Sequence, residues 1–275
     1  MIVIRHKKTG VALLELPVDT LVGADLEGAM LLGANLRGAD LSGAHLRVAD
    51  LCQADLTGAT LEGADLRDAD LTLSHLPGAR LQGADLADAR LQGVNMGLPG
   101  PVATDFGAAD LTRTYLNFSN LTGCSFADAE MQGADLTRCD LSAAALVGAN
   151  LTQANLSYSN LQGADLGYAM LVGAVLNDTD LRRASLRHSE LSTTTFSGVR
   201  LSEADLSHAH LSKTVFARCH DLHQALGLDS LSCLSPSCLD LETLRHAAGQ
   251  LPEAFLLAVG VEPGEIEAPH GAPTG

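Results

Sequence analysis

The chain has 275 residues, a formal net charge of −16 and no Trp. That charge argues against direct binding to nucleic acid or an anionic membrane, and it favours a basic partner. No run of about 20 apolar residues is present to cross a membrane. The start, Met1-Ile2-Val3-Ile4-Arg5-His6, lacks the apolar stretch of a secretory leader, and six irregularly spaced Cys fit reduced thiols. A cytoplasmic protein is expected.

Residues 1–18 do not repeat. Ile2-Val3-Ile4 and the stretch from Val11 to Leu16 flank Lys7-Lys8-Thr9-Gly10, which predicts a β-hairpin. Its expected role is to cover the first turn of the repeating region that begins at Asp19, because an uncapped coil exposes core and strand edges.

Residues 19–217 repeat every five. Ala24-Asp25-Leu26-Glu27-Gly28 is followed by Ala34-Asn35-Leu36-Arg37-Gly38 and later by Ala64-Asp65-Leu66-Arg67-Asp68. Counting in fives from Leu21 to Phe216 gives forty positions, and all but Pro101 are Leu, Phe or Met. Two residues before each sits something small, such as Ala54, Ala149, Ser119, Thr179, Cys124 or Val94. This period fits neither a helix nor a flat strand. It marks a solenoid whose central Leu (position i) and small residue (i−2) point inward. Positions i−1, i+1 and i+2 point outward, and the recurrent Gly at i+2 suits a corner with unusual backbone angles. Cys124 and Cys139 fall at the small inward position.

Gly97 to Thr104 breaks the composition but not the count of five, since Met96 and Phe106 are ten residues apart. It reads as one degenerate face, with a bulge or short loop, rather than as an inserted domain. After residue 217 the pattern changes. Leu239, Leu241, Leu244, Ala247 and Ala248 predict a helix capped by Ser237 or Asp240 and ended by Gly249. Pro252 opens a second one containing Phe255, Leu256 and Val259. Residues 218–262 are expected to cap the coil or to form a homodimer contact, through Leu241, Leu244, Phe255 and Leu256. Residues 263–275, rich in Pro and Gly, are expected to form a flexible tail.

Motifs of catalysis are missing: no glycine-rich phosphate loop, no Gly-X-Ser-X-Gly and no His-Glu-X-X-His. Outward Asp on a convex rod lacks the pocket that shifts a carboxyl pKa, so no enzyme is expected. Cys219, His220, His223, Cys233 and Cys238 lie within twenty residues at loosely zinc-like spacings. Cys219 falls at the inward position, and no metal or cofactor is expected.

The in-register Ala-Asp-Leu-X-Gly positions resemble the pentapeptide-repeat family over about 200 residues. The resemblance implies an all-β fold: a right-handed quadrilateral β-helix with four fives per coil, one per face. Here that means about ten coils and a rod of about 48 Å at a strand spacing of about 4.8 Å, followed by the small helical segment. The tail around Leu251-Pro252-Glu253-Ala254-Phe255-Leu256 looks like that of relatives which lead into a Toll/interleukin-receptor-type domain. Some members of the family look like duplex DNA and occupy the DNA-binding saddle of DNA gyrase, protecting it from poisons. The resemblance therefore implies a protein partner, with gyrase the most specific candidate. The alternative is a generic interaction scaffold in signalling or defence.

With four fives per coil, residues twenty apart share a face. The face centred on Leu26, Leu46, Leu66, Leu86, Phe106, Phe126 and onward would carry Asp25, Glu27, Asp65, Asp68, Asp85, Asp88, Asp105, Asp128, Asp165 and Asp205 against Arg47, Arg67 and Arg187. Asp25, Asp65, Asp68, Asp85, Asp88, Asp105, Asp128 and Asp165 are the expected partner-binding residues. Asp68, Asp88 and Asp128 stand where the repeat prefers Gly. A second candidate interface gathers Leu98, Tyr115, Phe118, Arg138 and Tyr158, an aromatic and arginine set typical of contact anchors.

Overall fold

The computed structural model describes residues 1–97 and 103–261. Strands β1 (Ile2–Arg5) and β2 (Ala12–Leu16) form an antiparallel hairpin, Ile2 opposite Leu16. The hairpin lies on the open edge of the first coil. The Arg5 carbonyl accepts from Asn35 N at 2.8 Å, and Lys7 N donates to the Gly33 carbonyl at 2.8 Å. Ile4 is buried, with Ile2, Leu13, Leu14 and Leu16 packed beside it.

From residue 21 the chain winds into a quadrilateral coil. Short parallel bridges join residues twenty apart: Asp25 to His45, Met30 to Asp50, Asn35 to Asp55, Asp40 to Thr60. The central Leu residues and the small residues two before them are almost wholly buried along the rod. Four of the five N–H groups of a repeat have backbone acceptors. Around Leu166, Leu166 N donates to Ser185 O (2.7 Å), Tyr168 N to Arg187 O (2.9 Å), Ala169 N to Leu166 O (3.1 Å) and Met170 N to Ala149 O (2.9 Å). The fifth N–H, at i+1, has none, and the carboxylate at i−1 takes it: Gly167 N donates to Asp165 Oδ1 at 3.0 Å. Asp or Asn at i−1 therefore satisfies a backbone donor that the coil leaves over.

This bond predicts a split between two substitutions. Asp165→Asn keeps the acceptor and leaves stability unchanged, whereas Asp165→Ala orphans the N–H and costs about 1 kcal/mol. Urea denaturation of the two variants checks it, and equal losses would contradict it.

Outside the break at 97–104, the corner at i+2 is left-handed in the described repeats, as in a type II turn. Gly is the cheapest occupant, yet Asp68 (φ 60°), Asp88 (61°), Phe118 (64°), Asp128 (56°) and Tyr158 (63°) hold the same conformation.

The expectation that the break at 97–104 is one degenerate face is corrected by the pairing around it. Arg80 bridges Asp105, Asp85 bridges Asp110, Arg90 bridges Tyr115 and Asn95 bridges Asn120, each twenty-five residues apart. The coil there carries one extra five, and every later five lies one face further round than a strict period of twenty places it. Residues 98–102 themselves lie outside the described residues.

In the second half the bridges lengthen into strands: β3 (Val175–Asn177), β4 (Thr195–Ser197), β5 (His210–Ser212) and β6 (Val215–Ala217). The coil does not stop at Ala217. Two short 3-10 turns, Leu222–Gln224 and Leu228–Ser230, are followed by β7 (Ser232–Ser235) and β8 (Cys238–Leu239). β7 pairs in parallel with β5, and β8 with β6. This closing coil lacks the five-residue pattern and uses side chains where the repeat uses backbone. The Asp221 carboxylate accepts from Leu201 N (2.8 Å) and Ser202 N (3.1 Å), and Ser230 Oγ accepts from His208 N (3.1 Å).

Helices α1 (Leu241–Ala247) and α2 (Glu253–Ala258) complete the described chain. Asp240 caps α1, its side chain accepting from Thr243 N at 2.8 Å. Phe255 of α2 is fully buried, its ring 5.9 Å from that of Phe216 at 75°. Phe216 stacks on Phe196 at 5.1 Å, so Phe255 continues a core column past the last coil.

Candidate protein-binding surfaces

The extra five redistributes the charge. One true face is centred on Leu26, Leu46, Leu66 and Leu86 and continues through Leu111, Met131 and Leu151. It carries Asp25, Glu27, Asp65, Asp68, Asp85, Asp88, Asp110, Glu130 and Glu190 against Arg47, Arg67, Arg113 and Lys213, nine acids to four bases. The adjacent face runs from Leu21 through Leu81 to Phe106, Phe126 and Leu166. It carries Asp40, Glu62, Asp105, Asp128, Asp165 and Asp205 against Arg80 and Arg187, six to two. The third face, centred on Leu31 and later Leu116 and Leu136, has four acids to three bases: Asp50, Asp70, Asp135 and Asp178 against Arg90, Arg138 and Arg218. The fourth has four to four: Asp55, Asp140, Asp180 and Glu203 against Arg37, Arg182, Arg183 and Arg200.

The expected single acidic face is thus corrected. Asp25, Asp65, Asp68, Asp85 and Asp88 stay together, while Asp105, Asp128 and Asp165 move to the neighbouring face. Acid is concentrated on two adjacent faces, net −5 and −4 by the residues just named, against −1 and 0 on the other two.

The eight expected acids also divide by duty. Asp25, Asp65, Asp85, Asp105 and Asp165 each accept the N–H two residues on, at 2.9–3.2 Å. They serve the fold whatever else they do. Asp68, Asp88 and Asp128 stand at left-handed corners with exposed or half-exposed side chains and accept no such bond. Arginines thread the first acidic face. Arg67 lies 2.6 Å from Asp65 and 3.4 Å from Asp85, Arg47 lies 3.5 Å from Asp68, and Arg113 grips Asp88 with Nε at 2.8 Å and Nη2 at 2.5 Å. These pairs are exposed, so each contributes little to stability.

The Arg67 hydrogen bond holds the Asp65 carboxyl below its ordinary value of 3.8, and the Arg113 hydrogen bond does the same for Asp88. At Asp240 burial acts upward but is outweighed by bonds from Thr243 and the Arg218 backbone, so it too is lowered. A carboxyl lowered in the folded state stabilises above its unfolded value and loses that contribution as pH falls through the folded value. The thermal midpoint is therefore flat from pH 7 to about 5 and falls below about 4. Melts across that range check this, and a midpoint that rises on acidification would contradict it.

The aromatic set assembles on the third face. Tyr115, Phe118 and Tyr158 are exposed, and the Arg138 guanidinium sits between two rings, 5.8 Å from the Phe118 centroid and 5.1 Å from that of Tyr158. Leu73 stands on the same corner column. Leu98 lies outside the described residues. A further ladder, whose members are twenty apart like those of the aromatic set, runs along the corner between the two acidic faces. Tyr168, His188 and His208 stack at 4.8 and 5.0 Å.

Of the four expected cap or dimer residues, Phe255 and Leu256 are buried inside the cap. Leu244 is half-buried and Leu241 exposed.

The cysteine and histidine grouping does not assemble. Cys219 is buried with its Sγ 3.6 Å from the Phe196 carbonyl, and burial pushes its thiol up to about 12. Cys124 and Cys139 are buried at the inward position and raised in the same way. Cys233 turns to the Ser235 carbonyl. A different trio, His220, Glu242 and His246, comes together instead. Among the described residues no helix is long and apolar enough to cross a membrane.

The family model for pentapeptide repeats matches in eight copies, over segments running from residues 20–47 to 196–225. HetL, a pentapeptide repeat protein involved in heterocyst differentiation regulation from the cyanobacterium Nostoc sp. strain PCC 7120, is 30% identical. That match covers 68% of this chain and 86% of HetL, with a TM-score of 0.25. Rfr23 from the cyanobacterium Cyanothece 51142 is 29% identical over 42% of this chain and 89% of its own, TM-score 0.29. QnrB1, a plasmid-mediated fluoroquinolone resistance protein, is 18% identical over 71% of this chain and 91% of its own, TM-score 0.38. No curated protein sequence matches. The chain belongs to the pentapeptide-repeat family, and its coil is the right-handed quadrilateral β-helix of that family.

Proposed function

We propose that this protein is a non-catalytic, acidic rod that acts in the cytoplasm by binding a basic partner protein through its two adjacent acidic faces. The observation that carries the reading is the set of corner acids. Asp68, Asp88 and Asp128 take left-handed positions where Gly is cheaper, and no backbone donor requires them. Asp68 and Asp88 are stacked on one corner of the first acidic face and Asp128 stands on a corner of the second, so a basic groove that spans both faces meets corner charge on each.

The most specific form of the reading is mimicry of duplex DNA on DNA gyrase or a related type II topoisomerase, protecting it from poisons. It rests on the acidic faces together with the behaviour of the family members that the sequence resembles. A second reading, a scaffold of signalling or defence, is favoured by the exposed Phe118–Arg138–Tyr158 sandwich. Aromatic and arginine side chains that a partner desolvates on binding dominate protein interfaces.

One capture experiment separates the two. Immobilised wild type, Asp68→Asn/Asp88→Asn/Asp128→Asn and Phe118→Ala/Tyr158→Ala are exposed to host extract. The acidic reading expects the main captured protein to be basic, to elute with salt and to be lost only in the first variant. Loss only in the aromatic variant would replace it with the scaffold.

A further inference from the structure

We propose that His220, Glu242 and His246 form a binding site for a zinc-class divalent ion that clamps helix α1 to the last coil. The proposal rests on residues outside the acidic faces and does not depend on the reading of those faces.

Three successive residues of the coil are tied to the first turn of α1. Arg218 N donates to Asp240 Oδ2 (3.0 Å), Cys219 N donates to Thr243 Oγ1 (3.0 Å), and His220 Nε2 meets Glu242 Oε1 at 2.9 Å. The two backbone anchors fix where His220 emerges. Glu242 and His246 are four apart on α1, so both sit on one side of the helix. One donor atom from each of the three residues lies within 4.8 Å of the others. Ligands of a tetrahedral zinc site with bonds of about 2.0–2.2 Å lie about 3.4 Å apart. The trio must close by little more than about 1 Å. All three side chains are exposed, so the closure needs side-chain rotation and no backbone movement. The two imidazoles now stack at 4.0 Å with 17° between planes. An ion in the plane of each ring turns them edge-on.

His246 is already set for this role. Its Nδ1 lies 2.9 Å from the Glu242 carbonyl oxygen. A proton on Nδ1 donated to that carbonyl leaves Nε2 as the free lone pair, the arrangement that orients metal-binding histidines. The Arg218 guanidinium is drawn along the coil to Ser197 Oγ (2.9 Å). Two imidazoles and a carboxylate suit zinc, copper or nickel rather than calcium or magnesium. The fourth position falls to water.

The test uses the tag-free full chain, stripped with EDTA and dialysed, and titrated with Zn²⁺ by calorimetry and with Co²⁺ by visible absorption. One equivalent is expected to bind, with a tetrahedral Co²⁺ spectrum and a raised thermal midpoint. His220→Ala and His246→Ala should each weaken binding at least about tenfold, and the double variant should lose the midpoint shift. Absence of saturable binding to the wild type overturns the proposal whether or not the variants fold. Binding that survives in the double variant within about twofold also overturns it, because the ion then sits elsewhere.

Discussion

Phe255→Ala lowers the unfolding free energy by about 3–5 kcal/mol, the usual cost of removing a buried aromatic ring from a core. Each coil of this rod buries its Leu and Ala against the coil before it and the coil after it, so the last coil has only one neighbour. Phe255 supplies the missing layer. It is fully buried and meets Phe216 edge to face at the end of the Phe196–Phe216 stack, with Leu251, Leu256 and Val259 buried around it. Without the ring, core and strand edges at the C-terminal end become accessible, and aggregation accompanies the loss of stability. Urea denaturation with light scattering measures both. A loss under about 1 kcal/mol would mean that α2 rests on the coil without capping it.

The second large effect concerns charge. Asp68→Asn/Asp88→Asn/Asp128→Asn removes three negative charges and leaves the coil intact, because Asn tolerates the left-handed conformation and the Arg47–Asp68 and Arg113–Asp88 pairs are exposed. Association with a basic partner slows by about tenfold or more at low salt, as expected when steering charges at a contact are lost. Asp65, Asp85 and Asp105 are poorer probes. Reversing them to Lys also removes the acceptor for Arg67, Ala87 and Gly107 N–H, so a lost function could be a lost fold. Stopped-flow association of the triple variant, compared with Phe118→Ala/Tyr158→Ala, isolates charge from surface shape. An unchanged rate in the triple variant would contradict the acidic reading.

The repeat itself explains why the sequence alone separated these acids imperfectly. A period of five reports which side chains point inward, and Leu, Ala, Cys124 and Cys139 obey it. It does not report how many fives complete a coil. The extra five before Asp105 leaves the period untouched while turning every later residue by one face. Asp105, Asp128 and Asp165 therefore read as partners of Asp85 and Asp88 until the Arg80–Asp105 and Asp85–Asp110 bridges place them. The duty of Asp at i−1 was equally hidden, because it depends on which N–H the coil leaves unpaired. The closing coil carries no repeat for a different reason. Asp221, Ser230, Asp240 and Thr243 replace backbone partners with side chains, and such bonds have no period. His220 and Glu242 meet across twenty-two residues only because that coil brings α1 back over residue 220. The Phe118–Arg138–Tyr158 column survived the sequence reading because all three lie after the extra five and remain twenty apart.

The most direct measurement is supercoiling by purified DNA gyrase with this protein titrated in, with and without a gyrase poison. The acidic-rod account in its most specific form predicts inhibition or protection by the wild type and its loss in Asp68→Asn/Asp88→Asn/Asp128→Asn, with Phe118→Ala/Tyr158→Ala still active. Equal potency of the wild type and the charge-neutralised variant, or no effect of the wild type at any concentration, would contradict it.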